Sequence, residues 1–329
     1  MSLFEDNPLK PPDENLHAQI SSGQQQEPAP EEPFAHPLAG DPISYAAGAP
    51  DRPSDLNLPE DLRISWSWVH LLCFFLFAIA VLVIVPSLFA IPYVQGKHLR
   101  PEKLENYLYS IPQFVVGSTF AVFALILFFL YITLSVLPEK PFWRTLGWKK
   151  LASDPAAGKG RPWMYFLSGC GLSIFVAVAA SRVKEVDHAP IQEFLKSRTG
   201  AMLLMAMAVV VAPLVEETIF RGYLYPVLAR IISAIAQFFG MEFSSATRTG
   251  VVASILTTGL LFGLLHAQQL GRNWPLVGLL ILVGIIFTFA RAWTGTVVAS
   301  FFLHLGYNSM IAVASVIATK GFTHMPPAS

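Results

Sequence analysis

Seven long stretches of this chain contain no Asp, Glu, Lys or Arg, and this feature limits the possible folds more than any other. The stretches are 64–96, 106–138, 162–181, 199–215, 249–271, 273–290 and 292–319. A helix needs about 20 apolar residues to cross a hydrocarbon layer of roughly 30 Å. Polar backbone groups in a bilayer must be satisfied within the segment, and the alternating polarity of a membrane barrel is absent. We therefore expect an all-α, polytopic transmembrane helical bundle with about seven spanning helices, or eight.

The composition supports this class. Of 329 residues, 53% are hydrophobic and only 13% charged, whereas soluble domains carry about a quarter charged residues. The net charge is zero, but residues 1–63 hold twelve acidic and three basic side chains, which gives −9 there and +9 in the rest. The chain as a whole has no basic excess, so we expect no nucleic-acid partner.

The sequence divides into two regions. Residues 1–63 contain eleven of the 25 prolines and no sustained apolar period, which predicts a disordered, acidic, Pro-rich tail. Residues 64–320 form the predicted membrane-embedded domain, with its functional motifs at about 190–312. With seven spans, the loops on the tail side hold twelve Lys and Arg against nine on the other side. This excess predicts a multi-pass protein of the cell membrane with a cytoplasmic N-terminus.

Two linkers have distinctive compositions. Residues 139–161 carry six basic and two acidic side chains, with Phe142, Trp143 and Trp148 between them. This pattern predicts a segment in the headgroup region. Residues 223–247 are apolar but interrupted by Pro226, and they either extend the fourth spanning helix or lie along the interface.

The stretch "VEETIFRG" places Glu216, Glu217 and Arg221 directly after seventeen uncharged residues. An ionisable group at a bilayer centre costs at least about 2.5–3.5 kcal/mol, so three on one helix indicate a function. Glu217 and Arg221 are four residues apart on one helical face, which predicts an ion pair. Glu216 is rotated by about 100° from Glu217 and is expected to point into a cavity as a general base or acid.

Histidines on two further helices complete the pattern. Phe262 and His266 are four residues apart in one predicted span, and His304 and Asn308 are four apart in the last span. A single histidine on an apolar helix is more often a core residue than a catalyst. A carboxylate and two imidazoles together, however, can bind and deprotonate water, with or without a metal.

The ordered motifs resemble those of the CPBP family of intramembrane proteases, which includes CAAX prenyl endopeptidases and bacteriocin-processing or self-immunity (Abi-like) proteins. The family shows EExxxR, FxxxH and HxxxN/D in this order, and the chain has "EETIFR", "FGLLH" and "HLGYN". The three matches cover roughly the last 130 residues without substitution. The 50-residue interval between Glu216 and His266 is longer than the family pattern, so cavity shape and substrate access are expected to differ.

The resemblance implies an endopeptidase that cuts a membrane-associated or lipidated protein or peptide, by CAAX-type or bacteriocin-type processing. Glu216 and His266 would activate the attacking water, while His304 and Asn308 would position it or stabilise the oxyanion. Glu217, Arg221 and Phe262 would support these residues. Zinc is a possible cofactor, held by Glu216, His266 and His304, although no HExxH motif is present. A glutamate-dependent mechanism without metal is the alternative.

Two other classes of protein remain open. A non-catalytic membrane scaffold or immunity protein would use the same residues to bind a peptide, because fold alone does not determine activity. A proton-coupled transporter also keeps ionisable groups in the membrane, but it predicts repeats in both halves of the chain. Here the charged cluster lies in the second half, which favours the protease.

Overall fold

The computed structural model describes residues 58–97, 100–151, 160–183 and 198–323. The predicted tail up to residue 57, part of the linker 139–161 and the start of the 190–312 motif region therefore lie outside the described residues. Among those described, the helices in chain order are α1 Trp68–Val94, α2 Pro101–Tyr109, α3 Pro112–Val136, α4 Phe142–Thr145, α5 Pro162–Ala180, α6 Arg198–Phe238, α7 Phe243–Leu265, α8 Trp274–Thr294 and α9 Val297–Ala318. Seven of these helices, all except α2 and α4, are long and apolar enough to cross a membrane. The predicted all-α bundle with seven spans is confirmed.

Local sequence explains where several spans begin. Proline occupies an early position in α3, α5 and α8, where its missing N–H costs nothing. Glu242, Asn273 and Thr296 each accept hydrogen bonds from backbone N–H groups at the start of α7, α8 and α9. Side chains of these kinds satisfy donors that an N-terminal turn leaves free. The last part of the linker 223–247 begins α7, while the first part continues α6 to Phe238.

The spans pack most closely where glycine removes the side chain. A Cβ on Gly169 of α5 would lie 2.0 Å from the carbonyl oxygen of Leu303, and one on Gly306 of α9 would lie 2.0 Å from that of Phe166. Neither position accepts any side chain without moving backbone. Small residues at helix interfaces allow such close approach in membranes. This contact holds α9, and with it His304, in a fixed position.

The outer surface of the bundle suits a lipid environment. Large apolar side chains such as Leu76, Val83, Phe120, Phe128 and Val178 are more than half exposed. In water, an exposed apolar surface of this extent would promote association. In a bilayer these side chains contact acyl chains of the same polarity.

The segment before α1, described from Leu58 onward, contacts the bundle. Leu62 is fully buried against Tyr225 and Ala229 of α6. Arg230 donates a hydrogen bond from Nη1 to the carbonyl oxygen of Ile64, at 2.7 Å. An isolated Leu in a polar, Pro-rich context carries no periodic signal, so its burial could not be predicted from the local sequence.

The linker after α3 also contacts the bundle. Leu146 is fully buried, and the Trp148 indole donates to Thr218 Oγ1 of α6 at 3.2 Å. The carbonyl oxygen of Gly147 accepts from the backbone N–H of Val297, at 2.9 Å. Trp143 remains about half exposed, as expected for an indole in the headgroup region. The segment therefore has an exposed side and a buried side, and the buried side contacts the middle of α6 and the start of α9.

Candidate active site

Helix α6 changes its winding on both sides of Glu216. Met207–Val211 and Glu217–Leu224 are wound as π-helix, and only Ala212–Glu216 between them is α-helical. Pro213 lies in this short α-helical piece and lacks the N–H that a regular helix would use. π-helical turns are rare and are frequently found at functional sites. The unusual winding places the two neighbouring carboxylates, Glu216 and Glu217, in different surroundings.

Glu217 and Arg221 form the closed part of the site. Arg221 Nη1 lies 3.0 Å from Glu217 Oε1, and both side chains are 0% exposed. Arg221 also donates from Nη2 to the Gly284 carbonyl oxygen at 2.9 Å and from Nε to Thr288 Oγ1 at 3.2 Å. The predicted ion pair is confirmed, and it joins α6 to α8.

Aromatic rings enclose the guanidinium of Arg221. Its central carbon lies 4.7 Å from the ring centre of Phe262, 5.3 Å from that of Phe287 and 5.6 Å from that of Phe220. A cation over a ring face is attracted by the negative potential of that face. Phe262, a residue of the predicted FxxxH motif, therefore supports the site by packing on Arg221.

His304 is held by the second carboxylate. Its Nδ1 lies 3.0 Å from Glu217 Oε1, and its ring packs on Phe287 with centres 4.8 Å apart. The other ring nitrogen, Nε2, lies 3.9 Å from Glu216 Oε2. Glu217 therefore orients both Arg221 and His304, a dual contact that the i, i+4 spacing did not predict.

His266 approaches Glu216 from α7. It follows the last residue of the helix, its Nδ1 lies 2.7 Å from the Phe262 carbonyl oxygen, and its Nε2 lies 3.8 Å from Glu216 Oε1. The side chain of His266 is 20% exposed and that of Glu216 is 14% exposed. The structure thus brings Glu216, His266 and His304 together at a partly open edge beside the closed ion pair.

Asn308 contacts a different part of α6. Its Nδ2 donates to the carbonyl oxygen of Ala208 at 2.7 Å. Ala208 lies in the first π-helical segment of α6. Asn308 thus braces the helix that carries Glu216. Its predicted role at the oxyanion stays a prediction.

Sequence reasoning missed the contribution of α8. Gly284 and Thr288 accept hydrogen bonds from Arg221, and Phe287 packs on both Arg221 and His304. The available signal was weak: Gly284 and Thr288 are four residues apart in an otherwise apolar span. Neither residue is ionisable, so the search for charged groups in the spans did not predict either of them as a site residue.

The three residues of the predicted zinc site, Glu216, His266 and His304, lie close together. Two imidazole Nε2 atoms and one carboxylate are donors that zinc accepts, and tetrahedral bonds of about 2.0–2.2 Å would place neighbouring donor atoms roughly 3.4 Å apart. Each histidine lies 3.8–3.9 Å from a different oxygen of Glu216. In the part of the chain that the structure describes, no group of three or more His, Cys, Asp or Glu side chains is arranged to hold a metal ion. The residues as placed do not fit zinc, and the cofactor stays a prediction.

One family model matches part of this chain. Residues 198–310 match the family model described as type II CAAX prenyl endopeptidase Rce1-like. The match spans α6 to α9 and includes every residue of the site described above. Separate comparisons with curated proteins and with solved structures returned no match. The family match and the seven-span bundle support an intramembrane protease. The predicted resemblance to the CPBP proteases is confirmed by the match of residues 198–310 to the Rce1-like type II CAAX prenyl endopeptidase family.

Proposed function

We propose that this chain is an intramembrane endopeptidase in which Glu216, His266 and His304 activate water to hydrolyse a peptide bond. One observation carries the proposal: each oxygen of Glu216 faces the Nε2 atom of a different imidazole, at 3.8 and 3.9 Å. These separations are too long for a direct hydrogen bond. A water beside each pair, at about 2.8 Å from both atoms, would bridge them.

Hydrogen bonds define which nitrogen of each imidazole carries the proton. The Phe262 carbonyl oxygen only accepts, so Nδ1 of His266 donates to it. Glu217 as a carboxylate likewise accepts from Nδ1 of His304. In the neutral rings, both Nε2 atoms then have a lone pair directed toward Glu216. A water between these groups donates its hydrogens to Glu216 and to an imidazole, and its own lone pair is free for attack.

The reaction then follows from these protonation states. Glu216 takes a proton as the water oxygen attacks the peptide carbonyl, and it returns this proton to the leaving nitrogen. As the C–N bond breaks, His304 Nε2 accepts the second proton of the attacking water, and Glu217 would stabilise the imidazolium that forms, as a buried carboxylate does for a catalytic histidine. In that form, Nε2–H of His304 is a donor for the product carboxylate. Asn308, which has a second amide N–H, keeps its predicted donor role.

The family description bears on the substrate. Type II CAAX prenyl endopeptidase favours CAAX-type cleavage of a lipidated protein over bacteriocin-type processing. The lipid group of such a substrate would enter from the bilayer, which the exposed apolar surface of the spans adjoins. The predicted cytoplasmic N-terminus would suit a substrate protein anchored to the inner leaflet.

The proposal is tested by comparing new protein N-termini in membranes that contain wild type, Glu216→Gln or Glu139→Gln at equal abundance. Glu216→Gln keeps the side-chain shape but removes the base. Glu139→Gln makes the same change at an exposed glutamate after α3. We expect one set of fragments to disappear with Glu216→Gln and to persist with Glu139→Gln. Identical fragments in all three membranes would reject the protease and favour the scaffold or immunity role.

The metal prediction has a separate test. The mechanism above uses side chains alone, so proteolysis by the purified protein should survive 1,10-phenanthroline and ethylenediaminetetraacetate. We expect zinc well below one ion per chain by elemental analysis. One zinc per chain in the wild type, lost in His266→Ala together with activity, would contradict this expectation and support the site of Glu216, His266 and His304.

A further inference from the structure

A polar pocket of about 360 Å³ lies between the segment before α1, the α3–α5 connection, α6 and the end of α8. It is separate from the proposed active site, since Glu216, His266 and His304 do not line it. Its walls contain five basic and two acidic side chains, which are Arg63, Lys140, Arg144, Lys149, Arg291, Glu60 and Asp61. The pocket therefore has an excess of three positive charges.

The two carboxylates compensate only part of this charge. Glu60 Oε1 lies 2.5 Å from Lys149 Nζ, and Asp61 Oδ2 lies 3.4 Å from Arg291 Nη1. Lys140 and Arg144 are exposed on the wall of the pocket. Their charges remain available to a ligand that enters it.

Arg291 provides a second, independent indication of a ligand. Its side chain is 2% exposed, and its Nε has no hydrogen-bond partner among the described residues. A buried donor without an acceptor is unfavourable, so this N–H favours a ligand that carries an acceptor. A planar guanidinium with an unused N–H is well suited to a tetrahedral oxyanion.

The position of the pocket indicates where its ligand comes from. Lys140 and Arg144 follow the end of α3, and Arg291 lies in the last turn of α8. Trp143, next to Arg144, is about half exposed, and tryptophan favours the level of the headgroups. Basic pockets between spanning helices at this level bind lipid headgroups.

We propose that this pocket binds a phosphate group, supplied by a phospholipid headgroup of the adjoining leaflet or by a soluble phosphate. The phosphate oxygens would accept from Arg291 and from the basic side chains at the rim. Glu60 and Asp61 hold Lys149 and Arg291 when no ligand is bound. Phosphate binding would therefore compete with the contact between the segment before α1 and the bundle.

The experiment measures lipid bound to the full-length protein in detergent by native mass spectrometry, with dioleoylphosphatidylglycerol as the probe. Lys140→Gln/Arg144→Gln removes two exposed charges from the pocket. The matched control Arg182→Gln/Lys320→Gln also removes one exposed Arg and one exposed Lys, but outside the pocket. Arg182 follows the end of α5, and Lys320 follows the end of α9. All four side chains are exposed, so folding should persist, and thermal unfolding of each variant verifies this.

We expect the dissociation constant for the lipid to rise about tenfold or more in the pocket variant, because each basic group near a membrane surface attracts the anionic headgroup. The control variant should retain wild-type affinity. Competition by millimolar inorganic phosphate would identify the phosphate alone as the bound group, and its failure would identify a lipid headgroup. Equal loss in both variants, or no loss in the pocket variant, would overturn the proposal.

Discussion

Two carboxylate–cation clusters in this protein differ in their access to water. The inner cluster of Glu217 and Arg221 lies within the spans, and both side chains are 0% exposed. The outer cluster of Glu60 and Lys149 lies at the end of the bundle, with 76% and 33% of these side chains exposed. Water and salt screen the outer charges but not the inner ones. The inner pair must therefore stay complete, whereas the outer pair can open.

Two adjacent residues of α6, Glu216 and Glu217, also differ in their access to water. Glu217 is enclosed by Arg221 and His304, and Glu216 faces His266 and His304 at distances longer than a hydrogen bond. A buried ion pair with additional hydrogen bonds fixes geometry. A partly open carboxylate beside imidazoles is suited to proton transfer. Structural support and proposed chemistry are thus divided between neighbouring carboxylates.

The largest expected effect is on stability, from removing one partner of the inner pair. Arg221→Met leaves Glu217 buried without its cation, and this should cost about 3–5 kcal/mol. Thermal unfolding of the purified protein in detergent measures the loss. The control is Lys149→Met at the outer pair, for which we expect less than about 1 kcal/mol. Similar losses for the two variants would remove the distinction between the clusters.

The next effect concerns activity at the open edge. His266→Ala should reduce proteolysis about 10²–10⁴-fold, the usual contribution of a positioned acid or base. Because His266 follows the end of α7 and is partly exposed, the unfolding temperature should change little. His70→Ala is the matched control, since His70 contacts Ser67 at the start of α1. Full activity of His266→Ala would exclude His266 from water activation.

A smaller effect is expected where α8 supports the inner pair. Thr288→Val removes the acceptor of Arg221 Nε and leaves a buried donor unpaired, which should cost about 1–3 kcal/mol. Thr133→Val is the control, because the Thr133 hydroxyl donates to the Phe129 carbonyl of its own helix. Denaturation of both variants gives the comparison. If the two substitutions cost the same, Thr288 contributes only as a local helix contact.

These contrasts also explain what the sequence could predict. The seven spans were predictable because each depends on its own apolar length. The pair of Glu217 and Arg221 was predictable because it lies within one helix. The hydrogen bonds of Arg221 to Gly284 and Thr288 depend on how α8 packs against α6. A contact between two helices cannot be predicted from the local sequence of either one. The π-helical segments around Glu216 likewise arise from Pro213 and from tertiary contacts such as that of Asn308 with Ala208.

The positions of the two histidines along their helices also could not be related to each other from the sequence. Counting residues along straight helices does not place His266, at the end of α7, beside His304, two turns into α9. The structure brings them together around Glu216 through the packing of the long helix α6. Ordered motifs could identify the residues of the site, but only the fold determines which nitrogen faces which oxygen.

The smallest expected effect is the pH dependence of the outer pair. A hydrogen bond from Lys149 and the charge of Lys149 lower the pKa of Glu60 below its ordinary value of 4.5. A carboxylate with a lowered folded-state pKa stabilises the protein above its unfolded-state pKa, and this contribution disappears as the pH falls through the folded-state value. Since Glu60 is mostly exposed, the contribution should be below about 0.5 kcal/mol.

Glu60→Gln measures this contribution through thermal unfolding of the variant and the wild type over a series of pH values. The two proteins should differ slightly at neutral pH and converge in acid, where Glu60 of the wild type is protonated. Added salt at neutral pH should also remove the difference, because it screens exposed charges. The loss caused by Arg221→Met should persist at high salt, since water and ions do not reach the inner pair. A salt-resistant effect of Glu60→Gln would mean that the outer pair is enclosed as well, and the contrast between the two clusters would fail.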